Sequence, residues 1–169
     1  RTLARRLGFA FVDTDREIVR HAGRSIAELV SERGWPYFRR LEKEILRRVS
    51  VSERQVVATG GGAVLDIDNV RRMKAGGMVV WLTASAKTIR QRMAQDGLTP
   101  EQRPALTFDG TLDEIETTLR NRFEKYNTAM DFEIRTDPAT PAEICRRIVA
   151  ELERRGVIAD PGHVNSDVP

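Results

Sequence analysis

The chain contains one cysteine, Cys145. A lone thiol excludes an internal disulfide framework and any cysteine-built zinc site, and it suits a reducing compartment. Aromatic residues are scarce: six Phe, two Tyr and two Trp, with no interleaving among basic residues that would pattern a stacking platform for nucleic acid. The longest unbroken apolar run is Met78 to Leu82, far short of the roughly 20 residues that cross a bilayer. No secretory leader pattern is visible, so a cytoplasmic location without a membrane partner is expected. Lysine is rare too. Lys43, Lys74, Lys87 and Lys125 are the only four, and 24 of the 28 basic residues are arginine. The net charge of +3, with acidic residues interspersed nearly everywhere, argues against a nucleic-acid partner. Arginine's rigid fork of donors suits an anionic small molecule better. The two histidines, His21 and His163, have no metal-ligand spacing.

What is present is enough for one folded domain. The chain has 169 residues, 40% of them apolar and 31% charged, which is room for one sizeable core and not for two. Leu3 and Leu7 share a helical face that Gly8 ends, so the first residues read as the back half of a helix. FAFV is a short buried strand running to Asp13-Thr14-Asp15, followed by a helix over Arg16 to Ala22. Ser25 to Glu28 is a capping box for a short helix that Gly34 ends. Phe38, Leu41, Ile45 and Val49 recur at intervals of three and four, predicting a longer helix over about 36–49. QVVAT is a second strand and runs into Gly60-Gly61-Gly62; Asp68 is placed to cap a helix through Lys74. MVVWL is a third strand whose unbroken apolar character suits a central parallel position. Ser85 begins a helix that fades near Gln95. Residues 96–110 hold two Pro and two Gly without periodicity, a length typical of lids and binding loops. Thr111 to Glu114 caps a helix whose Ile115, Leu119 and Phe123 are expected to face inward. FEIRT is a fourth, edge-like strand. Thr140 to Glu143 caps a last helix facing inward with Ile144, Ile148 and Leu152.

Strands alternating with helices predict an α/β fold, a mostly parallel sheet covered on both faces. Ligands in such folds sit beyond the carboxyl ends of the strands. Two segments occupy that place. Asp13 and Asp15 are two apart at a strand end, close enough to share a divalent ion or to divide metal binding from orienting a hydroxyl; the plainer alternative is that Asp15 caps the next helix and Asp13 lies in a turn. Gly60, Gly61 and Gly62 permit close approach of a ligand or a nest of amides for an anion; tight turn packing is the competing reading. Arg39 lies three residues from Glu42, which is positioned to hold it toward a carboxylate ligand, whereas Arg40 reads as solvated surface. Arg103-Pro104 in the long loop suits a lid that carries positive charge over phosphates. Arg92 and Arg122 flank that loop and are placed to address the same anion. Tyr126, four after Arg122, reads as packing. Cys145 reads as structural.

Taken together, LARRLGFAFVDTD, GRSIAELVSERGWPYFRRLEKEIL, VVATGGGAVLDIDN, GGMVVWL, the Arg103-Pro104 loop, RFEKY and MDFEIRTD resemble the shikimate kinases, over residues 1 to about 152. The combination of DTD, FRRLE and GGGAVL at these separations is specific, although each piece alone is weak. The resemblance implies a three-layer α/β/α fold of the P-loop kinase type and a single domain over 1–156. Within it lie a helical substrate-binding region at about 15–49 and a lid at about 96–110, with 157–169 a solvated tail. It also implies the site. Asp13 organises Mg²⁺, and Asp15 contacts the shikimate hydroxyls and aids deprotonation. Arg39, Gly60, Gly61, Gly62 and Arg122 hold shikimate. Arg103 reaches the transferring phosphate, and Arg92 lies near the adenine of ATP. The implied reaction is ATP-dependent phosphorylation of the shikimate 3-hydroxyl by a monomer.

Two departures stand out. The lid reads Arg103-Pro104-Ala105-Leu106 where the family usually has RPLL. No G-x-x-x-x-G-K-[ST] segment, nor any Gly-Lys pair, occurs in the chain, although the nucleotide's phosphates require one. In the family that loop and its strand precede LARRLG, and losing the strand would leave unpaired backbone mid-sheet. The sequence is therefore expected to be a piece of a whole kinase, with a natural truncation as the alternative. Two other functions compete: a different small-molecule kinase such as a gluconate kinase, and a catalytically inactive shikimate-binding or regulatory remnant.

Overall fold

The computed structural model describes residues 1–95 and 112–158. Seven helices and four strands alternate along these residues: α1 Thr2–Leu7, β1 Ala10–Asp13, α2 Thr14–Ala22, α3 Ile26–Val49, β2 Gln55–Ala58, α4 Ile67–Gly76, β3 Val80–Thr83, α5 Ala86–Gln95, α6 Leu112–Ala129, β4 Phe132–Arg135 and α7 Pro141–Arg154. A 3₁₀ turn, Ala63–Leu65, leads from the glycine triplet toward α4. The expected lid, with Arg103, and most of the expected tail lie outside the described residues, as does Thr111.

Local sequence explains most boundaries. Ser25 accepts the Glu28 backbone N–H at 3.2 Å while the Glu28 carboxylate accepts the Ser25 N–H at 2.7 Å, the reciprocal capping box read from SIAE. Thr140 and Glu143 repeat it at the start of α7. The two helices predicted on either side of Gly34 run on as one element, α3, with a kink at Gly34 (φ 75°) just before Pro36. A Cβ is disfavoured at that φ and proline removes a backbone donor, so the helix bends where the sequence says it should stop.

Three local readings are corrected. The cap of α2 is Asp13, not Asp15: its Oδ1 accepts the backbone N–H of Asp15 at 3.2 Å and of Arg16 at 3.3 Å. The cap of α4 is Asp66, not Asp68, and it accepts the Asp68 N–H at 2.8 Å. In both cases the first acid of a D-x-D triplet ends the extended segment and the second falls in the first turn, where it meets the helix dipole. Phe123 does not face inward; it is 50% exposed, its ring edge-on to Trp81 at 5.7 Å.

Every strand pairing is parallel, as the α/β alternation predicts. β1 pairs with β2 in the register Ala10 to Gln55 through Asp13 to Ala58, and β3 pairs with β4 from Val80 to Phe132 through Thr83 to Arg135. The described strands thus form two separate two-stranded sheets, and their apolar residues are less buried than their composition suggests; Leu82 is 53% exposed. Two apolar clusters are buried among the described residues. Ile18, Ile26, Leu29, Phe38, Leu41 and Ile45 pack α2 against α3. Phe132, Ile148 and Leu152 pack β4 against α7, with Leu3 and Leu7 of α1 alongside. Lys43 joins α3 to the start of α4 through Asp68 at 2.7 Å and Asp66 at 3.0 Å. No helix among the described residues is long and apolar enough to cross a membrane.

The α2–α3 core sets the stability of the first half. Ile45 is 3% exposed, so Ile45→Ala should lower the unfolding free energy of the natural protein by about 2–5 kcal/mol. Ser25→Ala, which removes only the cap, should cost about 1 kcal/mol. Urea denaturation with matched m-values measures both; equal losses would contradict the placement of the core.

Candidate functional site

The glycine triplet lies immediately beyond the end of β2, and four side chains from three helices converge on it. Each glycine makes room for a different one. A Cβ on Gly60 would stand 3.1 Å from Asp15 Oδ1 and 3.4 Å from Glu42 Oε1. On Gly61 it would stand 3.0 Å from the Tyr126 hydroxyl. On Gly62 it would fall 2.2 Å from Arg39 Nη1 and 2.5 Å from Cζ, inside the guanidinium. The space left by the missing Cβ atoms is thus lined by protein side chains, which is the turn-packing reading of the triplet; the approach of a ligand belongs to the functional proposal.

Asp15 reaches this point because Asp13 ends β1 and opens α2, which places Asp15 in the first helical turn. Arg39 and Glu42 reach it from α3, beside the stripe of Phe38, Leu41 and Ile45 that is buried in the core. Arg39 Nη1 donates to Glu42 Oε2 at 2.7 Å. The Arg39 guanidinium also lies 5.4 Å from the Trp35 ring and 5.2 Å from the Phe38 ring, contacts that hold it by cation–π attraction. The i, i+3 spacing read from FRRLE therefore does hold Arg39 toward the triplet. Arg40 lies over Tyr37 instead, at 5.5 Å.

Glu42 is 1% exposed, and its Oε1 has no hydrogen-bond partner. Burial raises its pKa above the ordinary carboxyl value; the Arg39 hydrogen bond and charge oppose that, the neighbouring Asp15 charge adds to it, and Arg122 on α6 opposes it. Arg122 thus acts on the same cluster. Arg92 does not: its two terminal nitrogens donate to the Thr136 hydroxyl at 2.8 Å and the Thr136 carbonyl at 3.0 Å, at the end of β4. The expectation that Arg92 and Arg122 address one anion is not supported.

Two contributors were not legible as such in the sequence. Tyr126, read there as packing, donates its hydroxyl to the Gly61 carbonyl at 2.9 Å; its position four after Arg122 was the only available signal. Asn69, 1% exposed, donates to the Ala63 carbonyl at 3.2 Å and holds the 3₁₀ turn behind the triplet. Nothing in DIDN distinguishes it from a surface amide.

For a divalent ion, the residues offer little of their own. Among the described residues no group of three His, Cys, Asp or Glu is placed to hold one. Asp13 has one oxygen committed to the cap, and its side chain is 32% exposed, 3.9 Å from Arg16 Nε. A single half-exposed carboxylate fits Mg²⁺ that arrives with phosphate oxygens and waters, and does not fit a protein-built cage.

The family model described as shikimate kinase matches residues 1–153. The shikimate kinase of Thermodesulfovibrio yellowstonii is 38% identical over 90% of this chain and 85% of its own length. That of Nitratidesulfovibrio vulgaris is 42% identical over 81% of this chain and 78% of its own. Among solved structures, the shikimate kinase from Acinetobacter baumannii in complex with shikimate superposes with a TM-score of 0.84 at 27% identity, covering 92% of this chain and 85% of that one. The enzyme from Bacteroides thetaiotaomicron superposes at 0.77 with 29% identity, covering 93% and 89%.

The elevated pKa of Glu42 has a stability consequence of definite sign. A carboxyl whose pKa is higher in the fold than in the unfolded chain contributes most below its unfolded pKa, and that contribution is lost as pH rises through the native value. Glu42→Gln removes the titration, so melting temperatures of variant and wild type should shift in the variant's favour as pH rises out of the carboxyl range. A difference independent of pH would show that the Glu42 pKa is the same in the fold as in the unfolded chain.

Proposed function

The chain belongs to the shikimate kinase family, and on that premise we propose that the cluster around Gly60 to Gly62 is its acceptor site. The activity is that of an ATP-dependent kinase, which transfers a phosphoryl group to the 3-hydroxyl of shikimate and leaves ADP. The observation that carries the assignment is the convergence of Asp15, Arg39 and the three glycines at one strand end, with the charge of Arg122 felt there. The relative from Acinetobacter baumannii, in complex with shikimate, supports the choice of acceptor.

In this reading Arg39 and Arg122 pair with the shikimate carboxylate. Arg39 already spends one N–H on Glu42, and its planar fork retains further donors for a carboxylate. Asp15 accepts a hydrogen bond from a ring hydroxyl and takes its proton as the hydroxyl oxygen bonds to the γ-phosphorus of ATP and the bond from phosphorus to the ADP oxygen breaks. The glycines let the ring lie against the backbone of the turn. Arg103 contributes positive charge to the transferring phosphoryl group, and Arg92, beside Thr136, lies near the adenine. Asp13 is the residue that would hold Mg²⁺, which when bound would neutralise charge on the phosphate oxygens. All these residues belong to one domain, over 1–156.

Assays of the natural protein with ATP and Mg²⁺ should give phosphorylation of shikimate and none of gluconate; the reverse preference would sink the acceptor assignment. Arg39→Lys, which keeps the charge and loses the fork, should raise the KM for shikimate on the order of tenfold or more and leave the KM for ATP unchanged. A shift confined to ATP would move Arg39 to the other substrate.

A further inference from the structure

Tyr126 belongs to none of the ligand sets above, yet it is bound on two sides. Its hydroxyl donates to the Gly61 carbonyl at 2.9 Å. Its ring stacks on Trp81 of β3, with centroids 5.2 Å apart and planes 24° from parallel. It therefore bridges the two strand pairs. Gly61 follows β2, which pairs with β1, while Trp81 lies in β3, which pairs with β4.

That bridge matters because the proposed acceptor site is itself divided between the two halves. Asp15 and Arg39 come from α2 and α3, which pack together over one core. Arg122 comes from α6, which also carries Tyr126 one turn later. No described strand of one pair hydrogen-bonds to a strand of the other, and side-chain links between the halves bear on the spacing of Arg39 and Arg122. Lys74 of α4 supplies one, donating to the Ala129 and Met130 carbonyls and pairing with Asp131 at 3.1 Å, about one turn beyond Tyr126 at the C-terminal end of α6. The Tyr126 hydroxyl acts on the glycine triplet itself.

We infer that Tyr126 is a positioning residue for the acceptor: its hydroxyl, bonded to the Gly61 carbonyl and braced by Trp81, sets the distance between the glycine turn and Arg122. The inference rests on the reading of Arg39 and Arg122 as joint holders of the acceptor carboxylate. Tyr126 touches no reacting atom in this scheme. Its effect is on binding, because a carboxylate gripped from both sides is held well only when both guanidinium groups are correctly spaced.

Tyr126→Phe removes one oxygen and keeps the ring stacked on Trp81, so the fold is retained. In the natural protein the KM for shikimate should rise about fivefold, the worth of one hydrogen bond, with kcat changed less than about twofold and the KM for ATP unchanged. Gly61→Ala supplies a second, independent measurement. Its Cβ would stand 3.0 Å from the Tyr126 hydroxyl, so part of its penalty should disappear in the Gly61→Ala/Tyr126→Phe double variant, a coupling that a double-mutant cycle reads directly. An unchanged KM in Tyr126→Phe, a loss of kcat with KM preserved, or strict additivity in the cycle would overturn the inference. If the wild type itself failed to phosphorylate shikimate, the functional reading would fall and this inference with it. A fully active wild type matched by Tyr126→Phe would overturn the inference alone.

Discussion

The arrangement around the glycine triplet depends on one buried ion pair. Glu42 is nearly fully enclosed, and Arg39 is the cation that bonds it, at 2.7 Å. A carboxylate in that position is costly unless it is paired, and removing the partner of a buried pair typically costs about 3–5 kcal/mol. The figure for Arg39 falls toward the lower end, since its side chain is 29% exposed. The pair in turn dictates the sequence opposite it. Arg39 lies so close to Gly62 that any side chain there would displace the guanidinium. At Gly62 the absence of a Cβ thus follows from a side chain that stands where it would be, and at Gly60 and Gly61 a Cβ would crowd Asp15 and the Tyr126 hydroxyl.

This arrangement explains why the site is assembled on helices α2, α3 and α6 and not on the strands. β1 and β2 deliver their ends to one place in parallel register, but the groups that carry charge come from the helices that follow. Capping supplies the precision. Asp13 ends β1 and begins α2 with the same side chain, so the strand end and Asp15 move as a unit. The kink at Gly34 lets the second part of α3 turn its Arg39–Glu42 face to the triplet while Phe38, Leu41 and Ile45 remain in the core. Asn69 then closes the turn from behind.

Much of this was legible in the sequence, and the reasons are specific. The capping boxes at Ser25 and Thr140, the break in helical geometry at Gly34 and the apolar spacing along 38–49 are signals carried within a few residues of each other. Their physics is equally local. The Arg39–Glu42 pair was legible on the same ground, being three apart on one helix. Errors of two residues arose where two acids competed for a cap, at Asp13 against Asp15 and at Asp66 against Asp68. Either side chain makes a sound cap in isolation; the strand's exit angle chooses between them. Phe123 misled because helical spacing marks a face and does not say whether anything covers it.

What the sequence alone determined was the alternation of strands and helices and the family, through motifs whose separations are fixed along the chain. What only the tertiary structure decided was which residues from distant segments meet. The meeting of Gly61 with Tyr126, 65 positions apart, the engagement of Arg92 with Thr136, and the crowding of the glycines by side chains from three helices are properties of packing. The physical reason is range: capping, periodicity and turn chemistry act over three or four residues, whereas the burial of Glu42 depends on elements that no local pattern brings together.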